Sequence, residues 1–226
     1  MMNASPIVSR DSAGRALSPK APRRVGTTRP TAFTLLELLS VLAILGILAA
    51  LIFPSVGAAR RSATKAKTRV QFAQWTAAIE SFRSEYGYYP AFDAGHLVNG
   101  GATATDHLFH DILAARKRDG TALVPGGAAA LQNRKLIPFY SFSDSDFTPG
   151  NLIRDAFDNT AIAVLVDRDL DGVIRQGADF TALPQVGGIA PGSADIPAAG
   201  IRAGVIFYAP APGGTAANPE FIFSWK

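Results

Sequence analysis

Cysteine is absent from the 226 residues of this chain, and methionine, tryptophan and histidine are rare, with two Met, two Trp and three His. Without cysteine the chain forms neither disulfides nor thiolate metal sites, so an extracytoplasmic part would be held together by packing or by a metal. A hydrophobic fraction of 48% excludes disorder throughout. The length suits one ordinary globular domain with appendages.

Charge is distributed unevenly along the chain. Residues 1–32 hold six basic side chains and one acidic side chain, and their lack of hydrophobic periodicity predicts an unstructured leader. Residues 80–226 hold 11 basic and 16 acidic residues. Between these regions lies the basic stem, which consists of Arg60, Arg61, Lys65, Lys67 and Arg69. The stem is suited to contact acidic lipid head groups or, alternatively, the acidic heads of neighbouring copies.

A long apolar run extends from Phe33 to Phe53. Its exceptions are Thr34, Glu37, Ser40 and Gly46. At about 1.5 Å per residue the run forms a helix of roughly 31 Å, close to the thickness of the hydrocarbon core of a bilayer. It therefore predicts a membrane-spanning helix. Because the basic leader precedes this helix, we expect the N-terminus in the cytoplasm and everything after Phe53 on the far side.

Helical periodicity continues beyond the apolar run in two stripes. Small residues form the first stripe, at Ala59, Ala63, Ala66, Val70, Ala73 and Ala77. Bulky residues form the second, on roughly the opposite side, at Phe72, Trp75, Ile79 and Phe82. The small stripe suits close helix neighbours, and the bulky stripe suits anchoring of a globular body.

These patterns predict one helix from Phe33 to about Glu85, on the order of 80 Å long, that ends at Gly87 and Pro90. Pro54 lies inside it and is expected to bend or loosen the preceding turn. Short helices are predicted at residues 106–117 and 128–135, and strands at residues 161–167, 204–209 and 220–225. Residues 183–200 are expected to form a long loop. The predicted fold class is α+β, with a long N-terminal helix packed on a small antiparallel sheet.

Glu37 is a carboxylate within the apolar run, which costs about 2.5 to 3.5 kcal/mol at a helix centre on insertion scales and less near an end. No Lys or Arg occurs between Arg29 and Arg60 to neutralise it. A cut between Ala32 and Phe33 would create an α-amino group one helical turn from Glu37. An ammonium there, on the same chain or on a neighbouring copy, would make the carboxylate a signal for assembly.

The stretch AFTLLELLSVLAILGILAALIFPSV, which follows a basic leader, resembles the N-terminal segment of type IV pilins and of the pseudopilins of type II secretion systems. In that family a prepilin peptidase removes the leader, the new terminal Phe is N-methylated, and the fifth residue is Glu. The resemblance implies that Phe33 is the methylated terminus and Glu37 the assembly glutamate. Gly46 and Pro54 stand where the family's helix carries its glycine and proline. Ala32 stands where the family usually has Gly.

Two further stretches are similar to pseudopilins. IESFRSEYGYYP, at residues 79–90, resembles the junction at which the helix of a major pseudopilin opens into its head. DAFDNT, at residues 155–160, resembles the motif Asp-Pro-Trp-Gly-Asn-Pro and departs from it at its second, fourth and sixth positions. The resemblance implies a pilin-like ladle with four parts. These are a cleaved leader (1–32), a transmembrane and assembly helix (33–56), the amphipathic half of the same helix (57–86) and a globular head (87–226).

Carboxylates alternate in the acidic loop DRDLDG, residues 167–172. They belong to Asp167, Asp169 and Asp171. Such a loop can wrap a hard cation such as Ca²⁺, and a backbone carbonyl near Val173 would complete the shell. The twelfth position of an EF-hand-like loop is Ala178 rather than Glu, with Asp179 beside it as a substitute. The alternative is a plain acidic turn between strands. Pseudopilins resembling this chain bind calcium in the same region of the head.

The resemblance implies a mechanical function, as a subunit of a secretion pseudopilus or a pilus fibre. The expected partners are further pilin-like subunits, the prepilin peptidase, an inner-membrane assembly platform and, before assembly, membrane lipid. The expected location is the bacterial inner membrane with a periplasmic head, followed by a periplasmic or cell-surface filament. The alternatives are a minor DNA-uptake pilin and a membrane-anchored extracytoplasmic enzyme.

Neither alternative is favoured by the residues. No nucleophile elbow, phosphate loop or catalytic carboxylate pair is recognisable, so catalysis is not expected. His107 and His110 are expected to be surface or hydrogen-bonded residues rather than zinc ligands, since no cysteine completes a zinc site. Nucleic acid binding requires exposed aromatic rings beside cations, whereas the bulky stripe is expected to be buried.

Overall fold

The computed structural model describes residues 33–103, 105–214 and 217–226, with only the backbone described for residues 51–55. The predicted leader lies outside the described residues. The chain divides into two compact units, with the boundary between Ala49 and Ala50. The helices are α1 (Leu35–Tyr86), α2 (Leu108–Ala114) and α3 (Ala128–Gln132), and the strands are β1 (Ala163–Val166), β2 (Val205–Pro210) and β3 (Phe221–Phe223). The predicted α+β class is confirmed.

The first unit presents the apolar beginning of α1. Side chains from Phe33 to Leu48 are exposed, and Leu35 and Leu36 expose 81% and 77% of their surface. No helix in the described part of the chain is both long enough and apolar enough to cross a membrane. The membrane topology expected from the sequence stays a prediction.

The second unit is built on the amphipathic part of α1. The side chains of the bulky stripe, Phe72, Trp75, Ile79 and Phe82, are all 0% exposed, and those of the small stripe are all exposed. Full burial of a large apolar side chain contributes about 1.5 to 3 kcal/mol. The bulky stripe is therefore the main attachment of the globular part to this helix.

Helix α1 ends one residue later than the sequence predicts, at Tyr86. Gly87 adopts a φ of 80° and donates its N–H to the carbonyl of Arg83 at 2.7 Å. A glycine in this left-handed conformation closes a helix because it lacks the Cβ that would clash there.

The three strands form one antiparallel sheet in the order β1-β2-β3. One face of the sheet joins the bulky stripe through Val164, Phe207 and Ile222. The other face packs against the predicted long loop, with Leu165 and Tyr208 in the same cluster as Val186 and Ile196. Because both faces are covered, the strands read as continuous apolar runs rather than as alternating ones.

The two short helices are shorter than predicted. Helix α2 covers 108–114 instead of 106–117, because Ala115 takes a left-handed φ of 56°. Helix α3 stops at Gln132 instead of residue 135. There the buried Asn133 donates its side-chain amide to the carbonyls of Ile112 and Ile137, both at 2.8 Å. The bond to Ile112 joins residues 21 positions apart and is not visible in local periodicity.

Candidate functional site

The N-terminus of α1 is capped by the side chains of Thr34 and Glu37, each of which accepts the backbone N–H of the other residue. The backbone N–H and the hydroxyl of Thr34 both donate to Glu37 Oε2 at 2.9 Å. In return, the N–H of Glu37 donates to Thr34 Oγ1 at 3.2 Å. This is a capping box, in which two polar residues satisfy the free donors of the first helical turn. The signal for this cap, Thr-x-x-Glu before an apolar run, is present in the sequence, but the cap was not predicted.

The capping box holds the Glu37 carboxylate at the very start of the helix. The predicted partner of that carboxylate is an α-ammonium on Phe33, which exists only after the leader is removed. Phe33 is 76% exposed. In the uncut chain the carboxylate therefore has hydrogen-bond donors from its own helix, and in a cut chain it stands beside the position where a charged donor appears.

The other predicted assembly positions are placed as follows. Gly46 lies within α1 and has open space around it, since a Cβ built there meets nothing within 4 Å. Pro54 also lies within α1, where the backbone alone is described. Ala32, the residue before the predicted cut, lies outside the described residues. The roles of these positions stay predictions.

The acidic loop brings three carboxylates together. One oxygen each from Asp167, Asp169 and Asp179 lies within 4.8 Å of the others. Asp167 and Asp179 are buried, at 1% and 2% exposure. Asp179 was predicted to substitute for the Glu at the twelfth position of an EF-hand-like loop, and its carboxylate lies beside those of Asp167 and Asp169. Asp171 is not in this group, and its carboxylate forms an ion pair with Arg175, whose guanidinium also lies 3.6 Å from Asp169 Oδ2.

Backbone amides fix the orientation of these carboxylates. Asp167 accepts the N–H of Gly172 at 2.8 Å, and Asp179 accepts those of Arg168 at 2.6 Å and Arg175 at 2.8 Å. Val173, predicted to offer a carbonyl, donates its N–H to Asp171 Oδ1 at 2.9 Å. The result is a compact set of oxygen ligands, two of them buried, which is the ligand type that Ca²⁺ takes.

The turn at residues 155–160 is organised by Asp155. This residue is 4% exposed, and its Oδ1 accepts the N–H groups of Phe157 at 2.8 Å and Asn159 at 2.9 Å. Burial raises the pKa of the Asp155 carboxyl, while the bonds from Asn159 and Phe157 oppose that shift. Asp158, at the position where the similar pseudopilin motif has Gly, adopts a φ of 61°. Glycine takes this conformation most easily, and aspartate is among the few other residues that visit it.

His107 and His110 form a buried polar network rather than a surface pair. His107 is 0% exposed and lies with Nε2 at 2.8 Å from Asn99 Oδ1. Its Nδ1 accepts the N–H of His110 at 3.3 Å, which leaves Nε2 as the donor. His110 Nδ1 lies at 2.8 Å from Asp111 Oδ1. Both histidines therefore have hydrogen-bond partners. The sequence predicted that they would be either surface or hydrogen-bonded residues.

Acid is expected to destabilise the folded head through His107. Burial, together with the neighbouring His110, lowers the pKa of His107 from 6.5 to about 4. The unfolded chain binds a proton below about pH 6.5 and the folded chain does not, so stability falls as pH drops from 6.5 towards 4. The free energy of unfolding should decrease by about 2 kcal/mol between pH 8 and pH 5 from this residue. Urea titrations across that range measure the loss.

The control for this effect is His107→Gln, which keeps a donor for Asn99 but does not titrate. Its free energy of unfolding should change less between pH 8 and pH 5 than that of the unaltered chain. An equal slope in both proteins would assign the acid sensitivity to other groups.

Comparison with known protein families matched residues 29–53 to the prokaryotic N-terminal methylation motif. Comparison with curated proteins and with solved structures found no match. The matched segment contains the predicted cut before Phe33, the capping box at Thr34 and Glu37, and Gly46. The resemblance drawn from the sequence is thereby confirmed for this segment. The chain carries at its N-terminus the signal that marks type IV pilins and pseudopilins.

Proposed function

We propose that the chain is a structural subunit of a type II secretion pseudopilus or a type IV pilus-like filament. The observation that carries this proposal is the methylation motif at residues 29–53, since that motif implies leader removal by a prepilin peptidase and assembly with other pilin subunits. Before assembly the subunit resides in the bacterial inner membrane, with its N-terminus in the cytoplasm and its head in the periplasm. An inner-membrane platform then adds it to the filament.

The exposed apolar surface of the first unit supports residence in the membrane followed by assembly into a filament. Side chains from Phe33 to Leu48 are exposed, and a patch of that kind requires a covering partner. Lipid covers it before assembly, and neighbouring helices cover it in the filament. The transfer is roughly neutral for Leu and Ile because lipid tails are as apolar as these side chains. Pairing of Glu37 with the amine of Phe33 in a neighbouring subunit then sets the register.

The turn at residues 155–160 favours the secretion pseudopilus over other pilus-like filaments. It retains Asp155 and Asn159 of the similar pseudopilin motif, with the aromatic Phe157 in place of Trp, and Asp155 organises the turn by accepting two N–H groups. The positive φ of Asp158 is the backbone conformation that suits the motif's glycine. The backbone of this turn is thus compatible with the pseudopilin motif despite its substitutions.

A mechanical role fits the described residues better than DNA capture. Phe72, Trp75 and Phe82, the first aromatic residues after the basic stem in the sequence, are 0% exposed and cannot stack on bases. We therefore propose that the head supplies structure to the filament and that it is not an enzyme.

Filament formation tests the proposed function. The chain, produced in cells together with a type II secretion or pilus assembly system, should appear in filaments that can be sheared from the surface, seen by electron microscopy and labelled by an antibody to the head. Cells without the prepilin peptidase are the control and should yield none. A processed chain that never enters filaments in either system would contradict the proposal.

We further propose that the acidic loop binds Ca²⁺ through Asp167, Asp169 and Asp179. The residues present fit the ion, because buried carboxylates need a compensating charge. Hydrogen bonds from backbone N–H groups already fix the carboxylate oxygens of Asp167 and Asp179. Asp171 and Val173 complete the set predicted from the sequence, and Arg175 would have to release Asp171 for it to join. The bound ion would tie the loop together in a head that has no disulfides.

Removal of calcium is expected to lower the melting temperature of the head by about 5 to 10 °C when calcium is present at about 100 times its dissociation constant. Thermal unfolding with calcium and with a chelator measures the shift. Asp167→Asn should abolish the response, and Asp119→Asn, an exposed carboxylate in another loop, should keep it. Identical melting curves with calcium and with a chelator would contradict the proposal that the loop binds calcium.

A further inference from the structure

The basic stem carries cations that the described part of the chain does not neutralise. Lys65 forms an ion pair with Glu220, and Lys67 borders a cavity whose wall includes Asp158. The other three cations, Arg60, Arg61 and Arg69, are exposed, and none has a carboxylate within ion-pair distance in the part of the chain that the structure describes. Three guanidinium groups are thus available to an external anion.

The sequence left two sources for that anion, namely lipid head groups and the acidic heads of neighbouring copies. The structure weakens the second source, because cations of the same head already engage most of its exposed carboxylates. The pairs are Glu85 with Lys135, Asp106 with Lys117, Asp144 with Arg118, Asp158 with Arg154, and both Asp169 and Asp171 with Arg175. A neighbouring head would therefore offer the stem mostly carboxylates that already have a cation as a partner.

We propose that Arg60 and Arg61, the first two arginines of the basic stem, bind the head groups of anionic phospholipids. This inference rests on the proposed function, in which residues 33–56 lie in a membrane. Arg60 follows Phe53, the last residue of the apolar run, by seven positions, so the stem begins where a head-group layer would follow the hydrocarbon. Arginine also matches phosphate through paired N–H donors. Each cation near an anionic surface strengthens binding about fivefold.

Lipid binding by the stem would act on the unassembled subunit. A subunit held by anionic head groups must release them when it leaves the membrane for the filament. The anionic lipid content of the membrane then sets how readily the platform extracts a subunit. High salt should weaken the interaction, because it is electrostatic.

Native mass spectrometry of the full chain released from nanodiscs tests the proposal. The discs contain equal amounts of phosphatidylcholine and phosphatidylglycerol with the same acyl chains. The unaltered chain should retain severalfold more phosphatidylglycerol than phosphatidylcholine, and excess inorganic phosphate should not remove the preference. The variant Arg60→Gln, Arg61→Gln should retain the two lipids at a ratio of about one.

A head variant of equal charge change provides the matched control. Arg116 and Arg134 are exposed and also lack a carboxylate within ion-pair distance in the described chain. Their replacement by Gln should leave the lipid ratio unchanged. The proposal fails if the stem variant keeps the phosphatidylglycerol preference, if the head variant loses it, or if inorganic phosphate abolishes it.

The test also separates this inference from the proposed function. The lipid ratio is measured on single subunits and does not require filaments. A stem variant that keeps the lipid preference but loses cross-links between the stem and neighbouring heads in filaments would identify a second copy as the partner. A chain that shows the lipid preference but is neither processed nor assembled would leave lipid binding standing and refute the filament role.

Discussion

Glu37→Ala is expected to abolish filament formation while the chain still enters the membrane and still loses its leader. The substitution removes the charge that we propose to pair with the α-ammonium of Phe33 in a neighbouring subunit. Insertion should not suffer, because a carboxylate in hydrocarbon costs about 2.5 to 3.5 kcal/mol at a helix centre and alanine carries no such cost. Fractionation measures insertion, gel mobility measures processing and electron microscopy measures assembly.

Glu37→Gln separates the charge from the capping box. Glutamine keeps an oxygen that can accept from Thr34 but has no charge for an ammonium. It should be as defective in assembly as Glu37→Ala. Ser40→Ala, which removes another polar side chain from the same exposed segment, should assemble normally. Normal filaments from Glu37→Gln would mean that the helix cap, rather than the ion pair, is what assembly requires.

Trp75→Ala is expected to destabilise the head by about 3 to 5 kcal/mol. The indole is 0% exposed and lies with its ring centroid at 5.4 Å from that of Phe109 and 5.6 Å from that of Phe207. It therefore joins α1 to both α2 and the sheet. The expected loss is a large fraction of the roughly 5 to 15 kcal/mol that stabilises an ordinary domain. Urea denaturation followed by circular dichroism measures it.

Val70→Ala is the matched control for the packing of α1. Val70 lies on the same helix in the small stripe and is 56% exposed. Its truncation should change the free energy of unfolding of the isolated subunit by no more than about 0.5 kcal/mol. Comparable losses from Val70→Ala and Trp75→Ala would contradict the assignment of one buried and one exposed face to this helix.

Local patterns in the sequence predicted the main framework of the head. The bulky stripe that begins at Phe72 is buried and the small stripe is exposed, because helical periodicity reports directly on which face meets the core. The strands were found by their apolar runs between glycine and proline turns, with ends that differ by one or two residues. The alternating carboxylates of the acidic loop also predicted that Asp167 and Asp169 lie close together, as they do.

Features that depend on distant residues were predicted less well. His107 and His110 were not placed in the core. His107 has Asn99 as a partner, and Asn99 also accepts the N–H of Ile153, 54 positions later. The end of α3 was missed because Asn133 donates to the carbonyl of Ile112, 21 positions earlier. These contacts join segments that spacing along the chain does not relate.

The central claim is that a cut before Phe33 creates the amine that Glu37 requires. Mass spectrometry of the N-terminal peptide, from protein extracted from membranes with an active prepilin peptidase, tests it most directly. The account predicts a chain that starts at N-methylated Phe33 and lacks residues 1–32. A chain that retains its leader in the presence of the active peptidase would contradict the account.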